Sequence, residues 1–255
     1  MGKTKKKDAW RTWSATGALA ALLSLQLPTA HADPAAKVYL PSVVEGETEV
    51  ELRGGYQRWR DHDDDRERQV IVDVGYALTS WWKSELAVGV TRLPGTSTRL
   101  DEVEWENIFA LTEPGQYWLD VGLFAELARD HAEGHNVVAI GPMFQKEFGR
   151  LQANANLLFE RQLGTHAEPG AEIDYAWQLK WRGNPRFEPG VQGFGTIGHT
   201  NDLARATEHK IGPALFSQAA LGARNKIKFD AAVLFGLNCN SPDTTVRFNL
   251  EYEIY

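Results

Sequence analysis

The sequence is poor in cysteine and in long apolar runs, and both absences exclude classes of protein. Cys239 is its single cysteine, so the chain cannot form an intramolecular disulfide. After Leu27, no stretch approaches the roughly 20 consecutive apolar residues that a transmembrane helix requires. A disulfide-stapled domain and a bundle of transmembrane helices are therefore excluded.

The first 32 residues have the composition of a Sec-type signal peptide. Four lysines lie between Met1 and Lys7, and the run from Ala15 to Leu27 is apolar and uncharged. Ala30-His31-Ala32 then supplies the small residues that signal peptidase prefers. We predict cleavage after residue 32 and a mature chain that begins at Asp33. No cysteine lies at this junction, which argues against a lipoprotein anchor.

The predicted mature chain is acidic. Removing residues 1–32 takes away five basic residues and one acid, which leaves 22 basic against 33 acidic side chains and a formal net charge of −11. This balance argues against nucleic acid as a partner. The remaining 223 residues are compatible with a single domain.

Apolar and polar residues alternate over most of the mature chain, which is the period of β-strands. Residues 171–183 show it most sharply. One predicted face carries Ile173, Tyr175, Trp177, Leu179 and Trp181. The other carries Glu172, Asp174, Gln178, Lys180 and Arg182. A helix would scatter both sets around its circumference.

Counting such stretches predicts an all-β fold, an antiparallel up-and-down transmembrane β-barrel of about twelve strands that spans residues 48–255. The predicted strands are 48–60, 69–78, one around 86–90, 99–112, one around 117–127, 135–148, 151–163, 171–183, 187–199, 209–220, 226–237 and 243–255. An even number places both ends of the barrel chain on the periplasmic side. We expect connections of four residues or fewer at that end, and longer, more charged loops at the other.

The segment before the first strand differs from the rest. Residues 33–47 have no clear period and contain Pro34 and Pro41. We predict a periplasmic lead-in for this segment.

Aromatic residues cluster near the strand ends assigned to the periplasm. These residues are Trp81, Trp82, Tyr117, Trp118, Trp181, Phe187 and Tyr252. Amphipathic rings favour the membrane–water boundary. In the alternative interpretation they are core aromatics of a soluble β-sandwich or a lipocalin-like barrel, but the inward face would then have to be apolar, and it is charged.

Four segments resemble a family of uncharacterised proteobacterial outer-membrane β-barrels: Gly46 to Gly55, Glu104 to Leu123, Arg182 to Gly190 and Leu250 to Glu253. The last strand also resembles the C-terminal strand by which such barrels are recognised during assembly. The resemblance implies a location in the outer membrane of a Gram-negative bacterium, with outer-membrane lipid and the barrel assembly machinery as partners. It implies no substrate and no catalytic residue. Tyr255 falls on the polar parity, and we expect it just past the last strand pair at the periplasmic rim.

The predicted inward face is rich in acids. Its residues along the expected solute path are Glu51, Arg53, Asp73, Glu104, Glu106, Asp120, Glu126, Glu172, Asp174, Lys180, Arg182, Asp230 and Glu251. Like charges in a confined lumen repel one another unless water or cations screen them. We therefore predict a narrow channel or transport component for small, cationic solutes of unknown identity. In the alternative, the acids pair with the inward lysines and arginines in a closed structural barrel.

Histidines fall in or beside the loops that are predicted to be external. Imidazole is a common ligand of Zn²⁺ and Cu²⁺, so a metal-binding rim is a further hypothesis, although histidine is also common in polar loops without a metal. Its candidate residues are His62, His131, His135 and His166. No other cofactor is predicted.

An outer-membrane enzyme that hydrolyses lipid or peptide is the remaining alternative. Barrel lipases use a His-x-Ser-Asn constellation, and His199-Thr200-Asn201 lacks both the spacer and the serine. The sequence has no Gly-x-Ser-x-Gly motif. Glu104 and Glu106 share a face and offer an acid and a base, but any acidic strand has this spacing. We predict that the protein is not an enzyme.

Overall fold

The computed structural model of the protein describes residues 33–59, 66–93, 95–131, 134–165, 167–203 and 207–255. The predicted signal peptide lies outside these residues. The described residues form twelve strands: β1 (Thr48–Arg58), β2 (Arg66–Thr79), β3 (Trp82–Arg92), β4 (Arg99–Ala110), β5 (Asp120–Asp130), β6 (Asn136–Phe148), β7 (Leu151–Leu163), β8 (Glu172–Trp181), β9 (Glu188–His199), β10 (Glu208–Leu221), β11 (Asn225–Gly236) and β12 (Thr244–Ile254).

The strands close into a single barrel. Each strand pairs with its neighbours in the chain, and β1 pairs antiparallel with β12, with Thr48 opposite Ile254 and Arg58 opposite Thr244. The predicted antiparallel up-and-down barrel of twelve strands is confirmed. Among the residues described, no helix is long and apolar enough to cross a membrane.

The outside of the barrel is apolar and the inside is polar. Strand β2 alternates residue by residue: Val70, Val72, Val74 and Tyr76 are between 41 and 51 % exposed, whereas Asp73 is 1 % exposed. Large apolar side chains are exposed along the other strands as well. A soluble barrel has the opposite arrangement, so this outer surface is suited to lipid rather than to water.

The connections differ between the two ends, which we call the turn end and the loop end. The turn end holds residues 80–81, 111–119, 149–150, 182–187 and 222–224. The predicted limit of four residues is wrong for 111–119 and 182–187. In the first of these, β5 begins at Asp120, so residues 117–119 belong to the connection, and the Asp120 carboxylate accepts a 2.7 Å hydrogen bond from the Gly115 backbone N–H.

The predicted aromatic cluster lies at the turn end. Trp81, Trp82 and Phe109 stack, with ring centroids 6.2 to 6.4 Å apart, and the Trp82 Nε1–H donates a 3.0 Å hydrogen bond to Asn107 Oδ1. Trp118 is 75 % exposed. Rings with one apolar side and one polar edge are placed in this way at membrane–water boundaries.

Tyr255 lies where it was expected, one residue past the last pair of β12. Its hydroxyl donates a hydrogen bond to Glu253 Oε2 and accepts one from Lys226 Nζ, both at 2.8 Å. These polar contacts turn the ring away from the apolar outer surface, which accounts for its polar parity in the sequence.

The prediction of a periplasmic lead-in is wrong for residues 33–43, because this part of the segment runs inside the barrel, whereas residues 44–46 are exposed. Ala35 is fully buried against Ile71 and Ala87 of the wall. A Cβ atom on Gly55 would lie 1.9 Å from the Pro34 carbonyl oxygen, so glycine at this position of β1 leaves room for the segment to pass. We call residues 33–47 the inner segment.

Closure between β1 and β12 predicts a specific disulfide. Leu52 and Leu250 lie directly opposite each other, and such pairs have Cα atoms about 4.5 to 5.5 Å apart, within disulfide range. In a Cys239→Ser background, we expect Leu52→Cys with Leu250→Cys to cross-link, as measured on non-reducing gels of heated protein. Leu52→Cys with Phe248→Cys is the control, two residues out of register, and equal cross-linking of both pairs would show that the register is wrong.

Candidate solute path through the barrel

The strands place most of the predicted path residues on the inner wall. Glu51, Arg53, Asp73, Glu104 and Glu106 are buried side chains of β1, β2 and β4. The partly buried members are Glu126, Glu172, Asp174, Lys180, Asp230 and Glu251. All of these occupy inward positions because charged residues alternate with lipid-facing apolar ones.

Two predicted path residues have other roles. Arg182 lies past the end of β8, and its side chain is 40 % exposed and ion-paired with Glu147 at the turn end. The strand ends at Trp181, so the inward parity assigned to Arg182 does not apply there. Asp120 is buried at the first position of β5, where its carboxylate holds Gly115 of the preceding connection.

Hydrogen bonds and a ring contact fix the inner segment at Tyr39. Its backbone N–H donates to Asn156 Oδ1 at 2.8 Å, and the Asn156 side-chain amide donates to the Tyr39 carbonyl oxygen at 2.9 Å. The Tyr39 hydroxyl donates to Glu106 Oε1 at 3.0 Å, and its ring lies 4.1 Å from that of Phe124. The segment therefore contacts β4, β5 and β7 at one level of the barrel.

Apolar patches on the inner wall receive the apolar residues of the segment. Ile108, Phe124, Ala139 and Met143 pack with Tyr39 and Val43 on one side. Phe194, Ala214, Phe216, Ala232 and Leu234 pack with Ala36 and Val38 on the other. Sequence reasoning missed these residues. The signal that marks them is an apolar residue at inward parity in a strand that is otherwise polar on that face.

Lys37 is the central cation of the interior. Its Nζ lies 3.0 Å from Glu51 Oε1, 3.2 Å from Asp73 Oδ2 and 3.5 Å from Glu106 Oε2. We call these three acids the carboxylate cage. Burial by itself would lower the pKa of Lys37, but attraction to Asp73, Glu106 and Glu51 outweighs burial and raises the pKa well above its usual value. The ammonium therefore stays charged.

Arg53 stands beside the cage and joins it to β4. Its Nη2 donates hydrogen bonds to Glu104 Oε2 at 3.1 Å and to Glu106 Oε1 at 3.0 Å, while its Nε lies 3.8 Å from Glu51 Oε1. Two buried cations, Lys37 and Arg53, thus form ion pairs with four buried acids at this level.

The interior holds a cavity on each side of this level. The loop-end cavity has a volume of about 760 Å³ and the turn-end cavity about 260 Å³. Lys37 and Tyr39 line both cavities, and no other described residue does. The inner segment therefore separates the two cavities at Lys37 and Tyr39.

The histidines proposed as a metal rim are placed only in part. His62 and His166 lie outside the described residues. His131 is exposed, with Nδ1 3.1 Å from the Arg129 carbonyl oxygen, and His135 lies 3.7 Å from Asp130. Across the described ranges, the groups of side chains close enough to share a metal consist of carboxylates without histidine. Metal binding at the rim stays a prediction.

Comparison with known proteins gives structural similarity only. No family model and no curated protein matches the chain. The chain is similar to the NanC porin, with 11 % identity and a TM-score of 0.53 over 81 % of this chain and 99 % of that one. An outer-membrane channel from Pseudomonas putida F1 gives 13 % identity and a TM-score of 0.54 over 88 and 99 %. The beta domain of a Bordetella autotransporter gives 11 % and 0.52 over 83 and 100 %.

At such identities the similarity shows the fold alone. The fold is that of outer-membrane β-barrels, which agrees with the fold implied by the sequence resemblance, and it does not assign the chain to one family. These neighbours are named as a porin, a channel and an autotransporter domain rather than as enzymes.

Anchoring of the inner segment by Asn156 predicts a change in thiol protection. In an Ala35→Cys, Cys239→Ser protein, we expect a membrane-impermeant maleimide to label the buried Cys slowly. Adding Asn156→Ala removes two hydrogen bonds to Tyr39, each worth about 1 kcal/mol, and should speed labelling about 30-fold.

Asn154→Ala is the matched control for this measurement. Asn154 is also a buried inward amide, but its hydrogen bonds go to Gln145, Gln152 and Gln178, and labelling should not change. Fast labelling before Asn156 is replaced, or the same acceleration by both variants, would contradict the observed anchoring.

Proposed function

We propose that this protein is a channel of the Gram-negative outer membrane that conducts small solutes and prefers cations. Outer-membrane lipid surrounds it, and the barrel assembly machinery inserts it. The observation that carries the proposal is an acidic cavity about 760 Å³ in volume inside a closed barrel with an apolar outer surface.

The charge of the loop-end cavity supports the cation preference. Its acidic lining residues are Asp33, Glu67, Asp101, Glu102, Glu104, Glu126, Asp130, Glu160, Glu168, Glu172 and Asp174. Its basic lining residues are Lys37, Arg53, Arg99, Arg129 and Lys210. Fixed negative charge in a cleft with low-dielectric walls raises the local concentration of cations.

The closed structural barrel fits the turn end better than the loop end. At the turn end, Lys83 pairs with Glu49 at 2.9 Å and Lys228 with Glu251 at 2.7 Å. In the loop-end cavity, Glu126 and Glu160 form no ion pair with any residue that the structure describes. Eleven acids and five bases among the described residues line this cavity, so its fixed bases cannot neutralise all of its acids, which favours mobile cations over a sealed interior.

The dimensions support small solutes. Twelve strands lie between filled eight-stranded barrels and open barrels of 16 strands. The inner segment further divides the interior into cavities of about 760 and 260 Å³. Solutes of a few heavy atoms fit such a path.

Single-channel recording tests this proposal. We expect protein purified from outer membranes to conduct with a reversal potential of cationic sign in a KCl gradient. The double variant Asp101→Asn, Glu172→Gln removes two carboxylates from the lining of the loop-end cavity and should lower the K⁺ over Cl⁻ permeability ratio about twofold or more. The ratio is read from the reversal potential.

The control is the double variant Glu113→Gln, Glu147→Gln, which removes the same charge from exposed turn-end positions that line neither cavity. It should leave the ratio unchanged. Anion preference in the parent protein, or equal effects of the two double variants, would contradict the proposed selectivity. Absence of conductance in both the parent and Lys37→Ala would contradict the channel itself.

A further inference from the structure

The carboxylate cage belongs to the barrel wall, but the cation inside it does not. Glu51, Asp73 and Glu106 project from β1, β2 and β4, whereas Lys37 comes from the inner segment. The Lys37 side chain is only 8 % exposed. The wall thus provides a three-sided acidic site at the level that separates the two cavities, and the chain occupies it with its own ammonium group.

Acids of the barrel wall repel one another at this level, and a bound cation reduces that repulsion. Glu251, Glu51 and Asp73 lie directly opposite one another on β12, β1 and β2, and like charges in such pairs destabilise a sheet. Arg53 pairs with Oε1 of Glu106, whereas Lys37 lies near Oε2. Among the described residues, Lys37 is the base in ion-pair contact with Asp73, and the second Asp73 oxygen, Oδ1, is buried without a hydrogen-bond partner. Without Lys37, Glu51 and Glu106 would keep Arg53 as a partner, and Asp73 would have no ion-pair partner among the described residues.

The spacing of the cage suits an ammonium group better than a metal ion. Within the described parts of the chain, several sets of carboxylate oxygens lie within 4.8 Å of one another, and none combines Glu51, Asp73 and Glu106. The Lys37 ammonium donates hydrogen bonds to Glu51 Oε1 at 3.0 Å and to Asp73 Oδ2 at 3.2 Å, and Glu106 Oε2 lies 3.5 Å away, within ion-pair distance.

We propose that the carboxylate cage is a binding site for the primary ammonium group of a small amine solute, and that Lys37 is a tethered occupant which such a solute displaces. This inference rests on the proposed channel function, since it names the solute class and the site at which the solute is held. Displacement exchanges one positive charge for another, so the acids are never left without a cation. It also frees the segment that separates the two cavities.

The attachment of Lys37 to the chain determines the concentration of amine that displaces it from the carboxylate cage. A group attached through a short flexible linker competes at an effective concentration on the order of millimolar or higher. The hydrogen bonds at Tyr39 and the apolar contacts of Ala36 and Val38 hold the segment further. A simple amine should therefore act at roughly tens of millimolar.

Thiol labelling tests displacement with Lys37 intact. The probe is n-butylammonium, which has the length and charge of a lysine side chain, applied to the Ala35→Cys, Cys239→Ser protein. We expect labelling to accelerate several-fold in a saturable way. Controls at equal concentration are 1-butanol, which is neutral, tetramethylammonium, which has no N–H donor, and KCl, which supplies ionic strength alone. Each should leave labelling slow.

Conductance tests the same site with Lys37 removed. We expect Lys37→Ala to spend about tenfold more time in a conducting state, because a charge-assisted contact that holds the segment is lost. Lys146→Ala removes the same charge from a half-buried position that lines neither cavity, and should leave conductance unchanged. A heat-modifiable shift on gels establishes that each variant has folded.

The outcomes separate this inference from the channel proposal. Acceleration by KCl equal to that by n-butylammonium, or no acceleration by the amine, overturns the ammonium site even if the protein conducts. Equal conductance of the folded parent and the folded Lys37→Ala protein overturns the role of Lys37. If the amine accelerates labelling but no variant conducts, the site stands and the channel proposal fails.

Discussion

Carboxylates on neighbouring strands of this barrel face one another directly across the ladder. Glu51 lies opposite both Glu251 and Asp73, and Glu106 lies opposite both Glu85 and Glu126. A sheet tolerates such rows only where cations or bound protons neutralise part of their charge, because burial strengthens repulsion as much as attraction. The arrangement of the interior depends on this requirement.

The interior meets the requirement in different ways along its axis. At the turn end, lysines on the strands pair with the acids across the ladder, as Lys228 does with Glu251. At mid-height, Arg53 of the wall and Lys37 of the inner segment form the ion pairs with the acids. At the loop end, the acids outnumber the bases and line the larger cavity. Charge compensation thus changes from wall residues at the turn end, through the inner segment at mid-height, to an excess of acids at the loop end.

The strands and their faces could be predicted from the sequence because alternation records the two environments of each strand. Residues 151–163 were predicted as a strand with the observed bounds, and most of the predicted path residues do face inward. Arg182 was misplaced because parity carries no information about where a strand ends. The inward positions of Asp73 and Glu106 were predictable, since the period of two alone sets which side chains face inward.

The inner segment could not be predicted in the same way. Residues 33–47 have no periodicity, and their position depends on contacts with residues more than 100 positions away, such as Asn156. Residues of the inner wall give a better indication of this segment than its own sequence does. Phe124 and Phe194 are apolar residues at inward parity, and an inward aromatic in a polar lumen requires an apolar partner. Apolar residues on the wrong face therefore indicate a chain segment inside a barrel.

The passage of the inner segment through the ring constrains how the barrel can assemble. The ring is sealed by β1 and β12, and the inner segment directly precedes β1. Either the seam closes around a segment already in place, or a chain end threads into a finished ring from the turn end. The first order brings Lys37 to Glu51 and Asp73 before these acids are enclosed, so the repulsive row never forms without its cation. Sealing of the wall and filling of the lumen then become a single folding step.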